Sequence, residues 1–358
     1  MPINKLYYTW RRKIKELVPE LRKTQIEGFA WLIVGIYESR SVNLSRVSGK
    51  IPGLVQRLST VKRMSRLLKN KAIQVERIYN PIAEQWIKAQ AETSQQVKLI
   101  IDGTKIGCKH QLLMVSLAYR KRSIPICWSW VPHVKGHANR KAHKSLIARV
   151  KEMIPSGTAV LIVGDSEFGT VELLKCLDKW NWYYVFREKS RLNIFLGQEE
   201  QWKRLDEIQI KPGKSVWMER REFTKKEIYP VNILIYWKKN EPDPWYLATN
   251  LPNAKMAKTA YARRMWIEEM FGDMKKNGFD LERTMLSHTD RLSRLTLAVV
   301  LLYVWLVSAG GKVIKNGHRK LVDHASRRDL CIFQIGFRFI ERNLINSLSF
   351  SISLGCFL

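Results

Sequence analysis

Apolar positions follow two regimes along the chain. Over residues 1–95 they recur at helical spacing. In "TQIEGFAWLIVGIY", Thr24 and Glu27 stand at capping-box spacing ahead of an apolar run, which predicts a helix start. "VNLSRVSGKIPGLVQRLSTVKRMSRLLKN" reads as a short helix, a Gly/Pro break and a second helix. In the second helix Lys62, Arg66 and Lys69 form a basic stripe opposite Val61, Leu67 and Leu68, compatible with a helix-turn-helix-like DNA reader. From residue 96 the pattern changes to strands, "VKLIIDGT", "QLLMVSLAYR" and "SIPICWSWV", joined by short loops as in an antiparallel meander. A helix near 139–153, the strand "TAVLIVGD", the helix "GTVELLKCLDKW" and the strand "WYYVFRE" follow. The order β-β-β-α-β-α-β implies an α/β fold, a mixed sheet flanked by helices on both faces. Residues 190–244 interrupt this rhythm as a β-rich, charged insertion before "WYLATNL".

The next segment, "YARRMWIEEMFGDMKKNGFD", has no proline and reads as one amphipathic helix over 261–280. Measured from Glu268, Arg264 lies one turn back, Tyr261 two turns back and Lys275 two turns on, so the four share a face. Ile267, Met270, Phe271 and Met274 form the adjacent apolar stripe. A solvated face of i,i+4 ion pairs is the plain alternative. The run "LTLAVVLLYVWLVSAGG", Leu295 to Gly311, falls short of the roughly 20 residues of a membrane span and reads as a buried core helix. The expected organisation is therefore an all-α unit over 1–95 and an α/β unit over 96–358, with a helical tail at 312–358.

Charge narrows the partner. Sixty-two Lys and Arg against thirty-two Asp and Glu leave a formal +30. The first 95 residues alone hold eighteen basic and seven acidic side chains, with no aspartate. Such an excess points to a polyanion, double-stranded DNA before a membrane surface. The five cysteines are scattered without a CxxC pair, and the basic start "MPINKLYYTWRRKIKELVPE" lacks an apolar leader core, so a reducing cytoplasm is expected.

Asp102 closes the apolar run "KLIID" and Asp165 closes "AVLIVGD". A carboxylate at such a position caps a turn or binds a cation. Two from neighbouring strands, with one from a helix packed across them, could hold two Mg²⁺ ions about 4 Å apart. "LIIDGT", "IVGDSEFGT" and the 261–280 segment resemble the three catalytic blocks of bacterial insertion-sequence DDE transposases. The closest branch is the one called IS-four, marked by Tyr-x2-Arg-x3-Glu-x6-Lys, whose spacing Tyr261, Arg264, Glu268 and Lys275 match in full. The resemblance covers about 96–310. It implies an RNase H-like catalytic domain with Asp102, Asp165 and Glu268 as ligands of two Mg²⁺ ions, for which Mn²⁺ can substitute. It also implies cleavage of element ends, followed by attack of the freed 3′-OH on target DNA by a homodimer in the bacterial nucleoid. Tyr261, Arg264 and Lys275 are then expected to hold DNA phosphate, and Trp245 to stack on a flipped base. Glu269 and Glu167 adjoin the expected ligands, so a one-residue shift or a supporting role stays open for them.

Three rivals remain. An inactivated relative would keep the basic surface as a DNA-binding protein. His133, His137 and His143 could bind zinc, but one helical face cannot align all three. "HTDR", His288 to Arg291, with Tyr303 resembles the tyrosine-recombinase set, although Tyr303 lies within the apolar run.

Overall fold

A computed structural model describes residues 2–107, 109–132, 140–196 and 201–356. Five helices come first: α1 (Pro2–Leu17), α2 (Lys23–Ser39), α3 (Leu44–Ser48), α4 (Arg57–Lys69) and α5 (Val75–Ser94). The meander follows as β1 (Gln96–Ile106), β2 (His110–Tyr119) and β3 (Arg122–Pro132), then α6 (Arg140–Met153), β4 (Ala159–Gly164), α7 (Val171–Lys179) and β5 (Tyr183–Arg187). The order expected from the alternation is the order found. β4 pairs parallel with both β1 and β5, whereas β1, β2 and β3 pair antiparallel.

The insertion supplies β6 (Asn193–Leu196), β7 (Gln201–Arg204), β8 (Ser215–Phe223) and β9 (Tyr229–Tyr236), and β10 (Trp245–Thr249) closes it. These strands do not form a body of their own. β10 pairs antiparallel with β5 on one side and β9 on the other, so the insertion extends the central sheet to ten strands in the order β3-β2-β1-β4-β5-β10-β9-β8-β6-β7.

Four local expectations are corrected. α2 starts at Lys23, ahead of Thr24, and Gln25 rather than Glu27 accepts from the backbone N–H of Arg22, at 2.8 Å. Asp102 does not end β1: the hairpin with β2 carries the strand to Ile106, and only the pairing with β4 stops at Ile101. The segment 261–280 is not one helix. α8 (Ala254–Tyr261) passes through a 3₁₀ turn at Ala262–Arg264 into α9 (Met265–Met274), and turns follow. The i,i+4 relation of Arg264 to Glu268 survives that break, while Lys275 sits just beyond the helix end. The apolar run belongs to a longer helix, α10 (Thr289–Lys315), of 27 residues. By length and composition α10 could cross a membrane, but 83% of its most apolar window is buried inside the protein.

α10 is the axis on which the rest is packed. Leu292 to Val307 are buried with few interruptions, and α2, α4, α5, α9 and β3 all lie against the helix. Trp10 of α1 meets Trp305 of α10 edge-on, and Arg294 donates to the carbonyls of Leu68 and Ile73. Apolar side chains from Leu6 to Leu354 thus belong to one continuous core. The last helix, α11 (Ile332–Ile345), crosses α10 where Gly310 and Gly336 face each other. A Cβ on Gly336 would lie 1.8 Å from the Leu306 carbonyl oxygen. Gly336→Ala therefore forces the two helices apart and is expected to destabilise the fold by about 1–3 kcal/mol. A thermal denaturation midpoint several degrees lower would register it; an unchanged midpoint would show that the crossing tolerates a methyl group.

Candidate active site

The sheet register brings two carboxylates side by side. Ile101 pairs with Gly164, so Asp102 and Asp165 are the next residues on adjacent parallel strands. The carboxyl ends of such strands, where helices cover a sheet, are where sites form. Asp102 is only slightly exposed, and one of its oxygens accepts from the Gly103 N–H at 2.8 Å. The other accepts from Arg264 Nη1 at 2.9 Å. The second guanidinium nitrogen of Arg264 donates to Glu268 Oε1. One arginine thus ties the sheet carboxylate to the helix carboxylate.

The electrostatics follow from this crowding. Burial pushes the Asp102 carboxyl up to about 7, and the charges of Asp165 and Glu268 add to that. Arg264 and the Gly103 N–H pull the other way without cancelling it. Burial alone would lower Arg264, yet Tyr261, Asp102, Asp165 and Glu268 together hold the guanidinium above its ordinary value. The cluster needs positive charge, and Arg264 provides the part of it that the protein carries itself.

Neighbouring acids are sorted by their partners. Glu269 turns to Arg122 at 3.1 Å, and Arg122 also donates to the buried Asp273 at 2.8 Å, so Glu268 rather than Glu269 faces Asp102. Burial, only partly offset by Arg122, pushes Asp273 up to about 6. Glu167 accepts from Gln111 Nε2 at 3.2 Å.

The basic and aromatic candidates are distributed more widely. Lys275 reaches the Lys105 carbonyl at 3.3 Å, three residues beyond Asp102 on β1, and pairs with Glu282 at 2.8 Å. Tyr261 is buried, which pushes its hydroxyl up to about 12, and its ring meets Trp245 edge-on at 5.0 Å. Trp245 is half-buried and also touches Tyr236. Lys62, Arg66 and Lys69 are exposed on α4, while Leu67 and Leu68 face the core and Val61 is half-buried.

Of the rival sets, Tyr303 is fully buried and donates to the Ser123 carbonyl at 3.0 Å, out of reach of any substrate. His143 is buried against Phe168, and His133 and His137 lie outside the described residues. Glu188, just past β5, was not singled out from the sequence. Its side chain is buried, its Oε1 has no hydrogen-bond partner, and the Asp165 charge adds to a burial penalty that lifts it well above the carboxylate range. The trace of it in the sequence is a lone acid closing the apolar run "WYYVF".

The donor set suits a hard divalent cation. Asp102, Asp165 and Glu268 offer only carboxylate oxygen, the donor type that Mg²⁺ takes. Among the described residues no group of three or more His, Cys, Asp or Glu side chains is placed to hold a metal ion by itself. Mg²⁺ does not require one, because it is commonly held by one or two carboxylates together with water and substrate phosphate.

Residues 92–305 match the family model described as "Transposase DDE domain". A solved structure, "Cryo-EM structure of piggyBac transposase synaptic complex with hairpin DNA (SNHP)", is similar at 12% identity and a TM-score of 0.42, over 97% of this chain and 82% of that one. No curated protein matches the chain.

With Arg264 as the internal counter-charge, Arg264→Ala is expected to lower the melting temperature of the metal-free protein at pH 8. The sign of the pH effect follows from Asp102. Between about 4, the ordinary carboxyl value, and about 7, the folded protein holds a proton that the unfolded chain releases. This contribution to stability is therefore full below about 4 and is lost as pH rises through 7. Acidification to pH 5 should shrink the deficit of the variant. A deficit independent of pH would assign Arg264 a packing role only.

Proposed function

We propose, from the premise that this chain belongs to the DDE transposase domain family, that it is an active DNA transposase. It cleaves the ends of an insertion element and joins the freed 3′-OH strand to target DNA. The observation that carries this reading is the Arg264 bridge, which gathers the adjacent strand carboxylate Asp102 and the helix carboxylate Glu268 beside Asp165. The Tyr-x2-Arg-x3-Glu-x6-Lys spacing supports the IS-four branch of bacterial insertion-sequence transposases. The β3-β2-β1-β4-β5 order, antiparallel through the first three strands and parallel through β4 and β5, supports an RNase H-like catalytic domain over 96–358. In this reading the helices of 1–95 form a DNA-binding unit, and the protein works as a homodimer on DNA in the bacterial cytoplasm.

Asp102, Asp165 and Glu268 would hold two divalent cations, Mg²⁺ with Mn²⁺ as substitute, which supply charge neutralisation at the displaced and attacking oxygens. The chain's own residues do the positioning. Arg264, already poised between the carboxylates, exchanges their contact for a DNA phosphate when the backbone enters, because a guanidinium pairs with either anion through the same fork. Lys275 does the same beside the end of β1 at Lys105, exchanging Glu282 for phosphate. Buried Tyr261 holds the Arg264 side of the site and the face of Trp245 in place, and Trp245 offers its ring to an unpaired base. Lys62, Arg66 and Lys69 on α4 add sequence-independent attraction to the duplex.

Cleavage of DNA carrying the element's own ends tests this directly. Asp102→Ala, Asp165→Ala and Glu268→Ala are each expected to reduce Mg²⁺-dependent strand cleavage by several orders of magnitude while duplex binding persists, since carboxylates around shared cations act as a unit. A wild-type protein that binds the ends but never cuts them would establish instead an inactive, transposase-derived DNA-binding protein. Binding itself should weaken steeply with salt, log K against log [salt] having a slope near -0.9 per phosphate neutralised. Losing the Lys62, Arg66 and Lys69 charges together should make that slope shallower by about 2 to 3. An unaltered slope would remove α4 from the DNA interface.

A further inference from the structure

The loop between α3 and α4, with the first turn of α4, carries an apolar tip that neither the core nor the carboxylate cluster uses. Leu54 is fully exposed, Val55 is 64% exposed and Leu58 72%. Among the described residues no other stretch of five holds three large apolar side chains so exposed. Single exposed apolar residues are ordinary on a protein surface, whereas a contiguous group marks a contact surface. The stem beneath the tip is fixed. Ile51 is half-buried beside Gly35 of α2, and Arg57 Nε donates to the Ser45 carbonyl of α3 at 2.9 Å. Between them Gly53, at φ +141°, turns the chain through a conformation that a side chain would strain.

The surroundings of the tip indicate what it meets. From Ser39 to Val75 there is no acidic residue, and there are nine Lys or Arg. Among the described residues only Arg40 and Arg46 of these form ion pairs, with Glu341 and Asp280. Leu58, Lys62, Arg66 and Lys69 stand at i, i+4, i+8 and i+11 on α4, so the exposed basic stripe begins with an apolar residue. A second copy of this chain, itself at +30, is repelled by such a surface. A DNA duplex is a polyanion outside and an apolar base stack inside. Apolar side chains flanked by cations suit that combination, and they are the type that wedges between base pairs from the minor groove.

We propose that Leu54, supported by Val55 and Leu58, is a wedge that enters the minor groove, parts one base step and bends the duplex, while Lys62, Arg66 and Lys69 hold the phosphates beside the opening. This rests on the DNA-transposase reading above and adds to it a means of distorting DNA by residues outside the carboxylate cluster. The bend depends on apolar contact and the attraction on charge, so the two are separable.

The test uses the full-length protein and a short duplex with one central TpA step, a step that is easily unstacked. Dyes on the two ends report bending by Förster transfer, and fluorescence anisotropy reports affinity. The wild type is expected to raise the transfer, because bending brings the ends together. Leu54→Ser combined with Val55→Ser should bind about ten-fold more weakly, abolish the rise, and keep the wild-type salt slope, since no cation is lost. Leu54→Met, which keeps an apolar side chain, should bend the duplex as the wild type does. Both replaced side chains are exposed, so the melting temperature should not fall; a lower one would assign the tip to the fold and overturn the proposal. Wild-type bending and affinity in the serine variant would overturn it too. So would a serine variant that loses only self-association, read by sedimentation velocity, or only binding to phosphatidylserine vesicles, which would assign the tip to a second copy or to a membrane. A wild type with no affinity for duplex DNA removes the transposase reading along with the wedge, whereas one that binds without bending rejects the wedge alone.

Discussion

Everything at the candidate site depends on the burial of a carboxylate, Asp102, among other acids, where water cannot solvate its charge. Asp102 and Asp165 are neighbours because β1 and β4 are parallel and in register, and Glu268 joins them because α9 packs across β1, β2 and β3. Folding brings these charges together, and on its own that is unfavourable. Burial raises the Asp102 carboxyl to about 7, and the charges of Asp165 and Glu268 add a smaller part. Arg264 offsets part of it by bridging two of the three acids.

The rest of the architecture holds that arrangement still. α10 runs through the centre of the molecule, and α2, α4, α5, α9, β3 and α11 are fastened to it. The C-terminal residues strap across it: Trp305 donates to the Ser351 carbonyl, Ser308 to that of Gly355, and Trp86 of α5 to that of Leu354. The helical N-terminal segment and the sheet share one core, and α4 packs directly on α10. The insertion has a comparable effect in the sheet plane. Its strands lengthen the sheet through β10, whose first residue, Trp245, packs on Tyr261.

Much of this was legible in residue order because its causes are local. Strand alternation and apolar runs mark β1 to β5, and the i,i+4 spacing of Arg264 and Glu268 survives even though the predicted helix breaks into α8, a 3₁₀ turn and α9. What was not legible has non-local causes. The continuation of β1 past Asp102 is set by its hairpin with β2, and the start of α2 by the use of Gln25 in place of Glu27. The choice of Glu268 over Glu269 is made by Arg122, which lies some 150 positions away in the chain and occupies the second acid. Glu188 escaped notice because a single acid closing a strand is ordinary in sequence; only its burial and the missing partner of Oε1 set it apart.

In the function proposed above, the carboxylate cluster is a cation site that Arg264 occupies in the DNA-free protein. Anomalous diffraction from crystals of the protein grown with Mn²⁺ and a duplex DNA end addresses it most directly. The expected result is manganese peaks beside Asp102 and Asp165, with Glu268 within coordination distance and the Arg264 guanidinium moved onto a DNA phosphate. Manganese located elsewhere, with Arg264 still bridging Asp102 and Glu268, would contradict it.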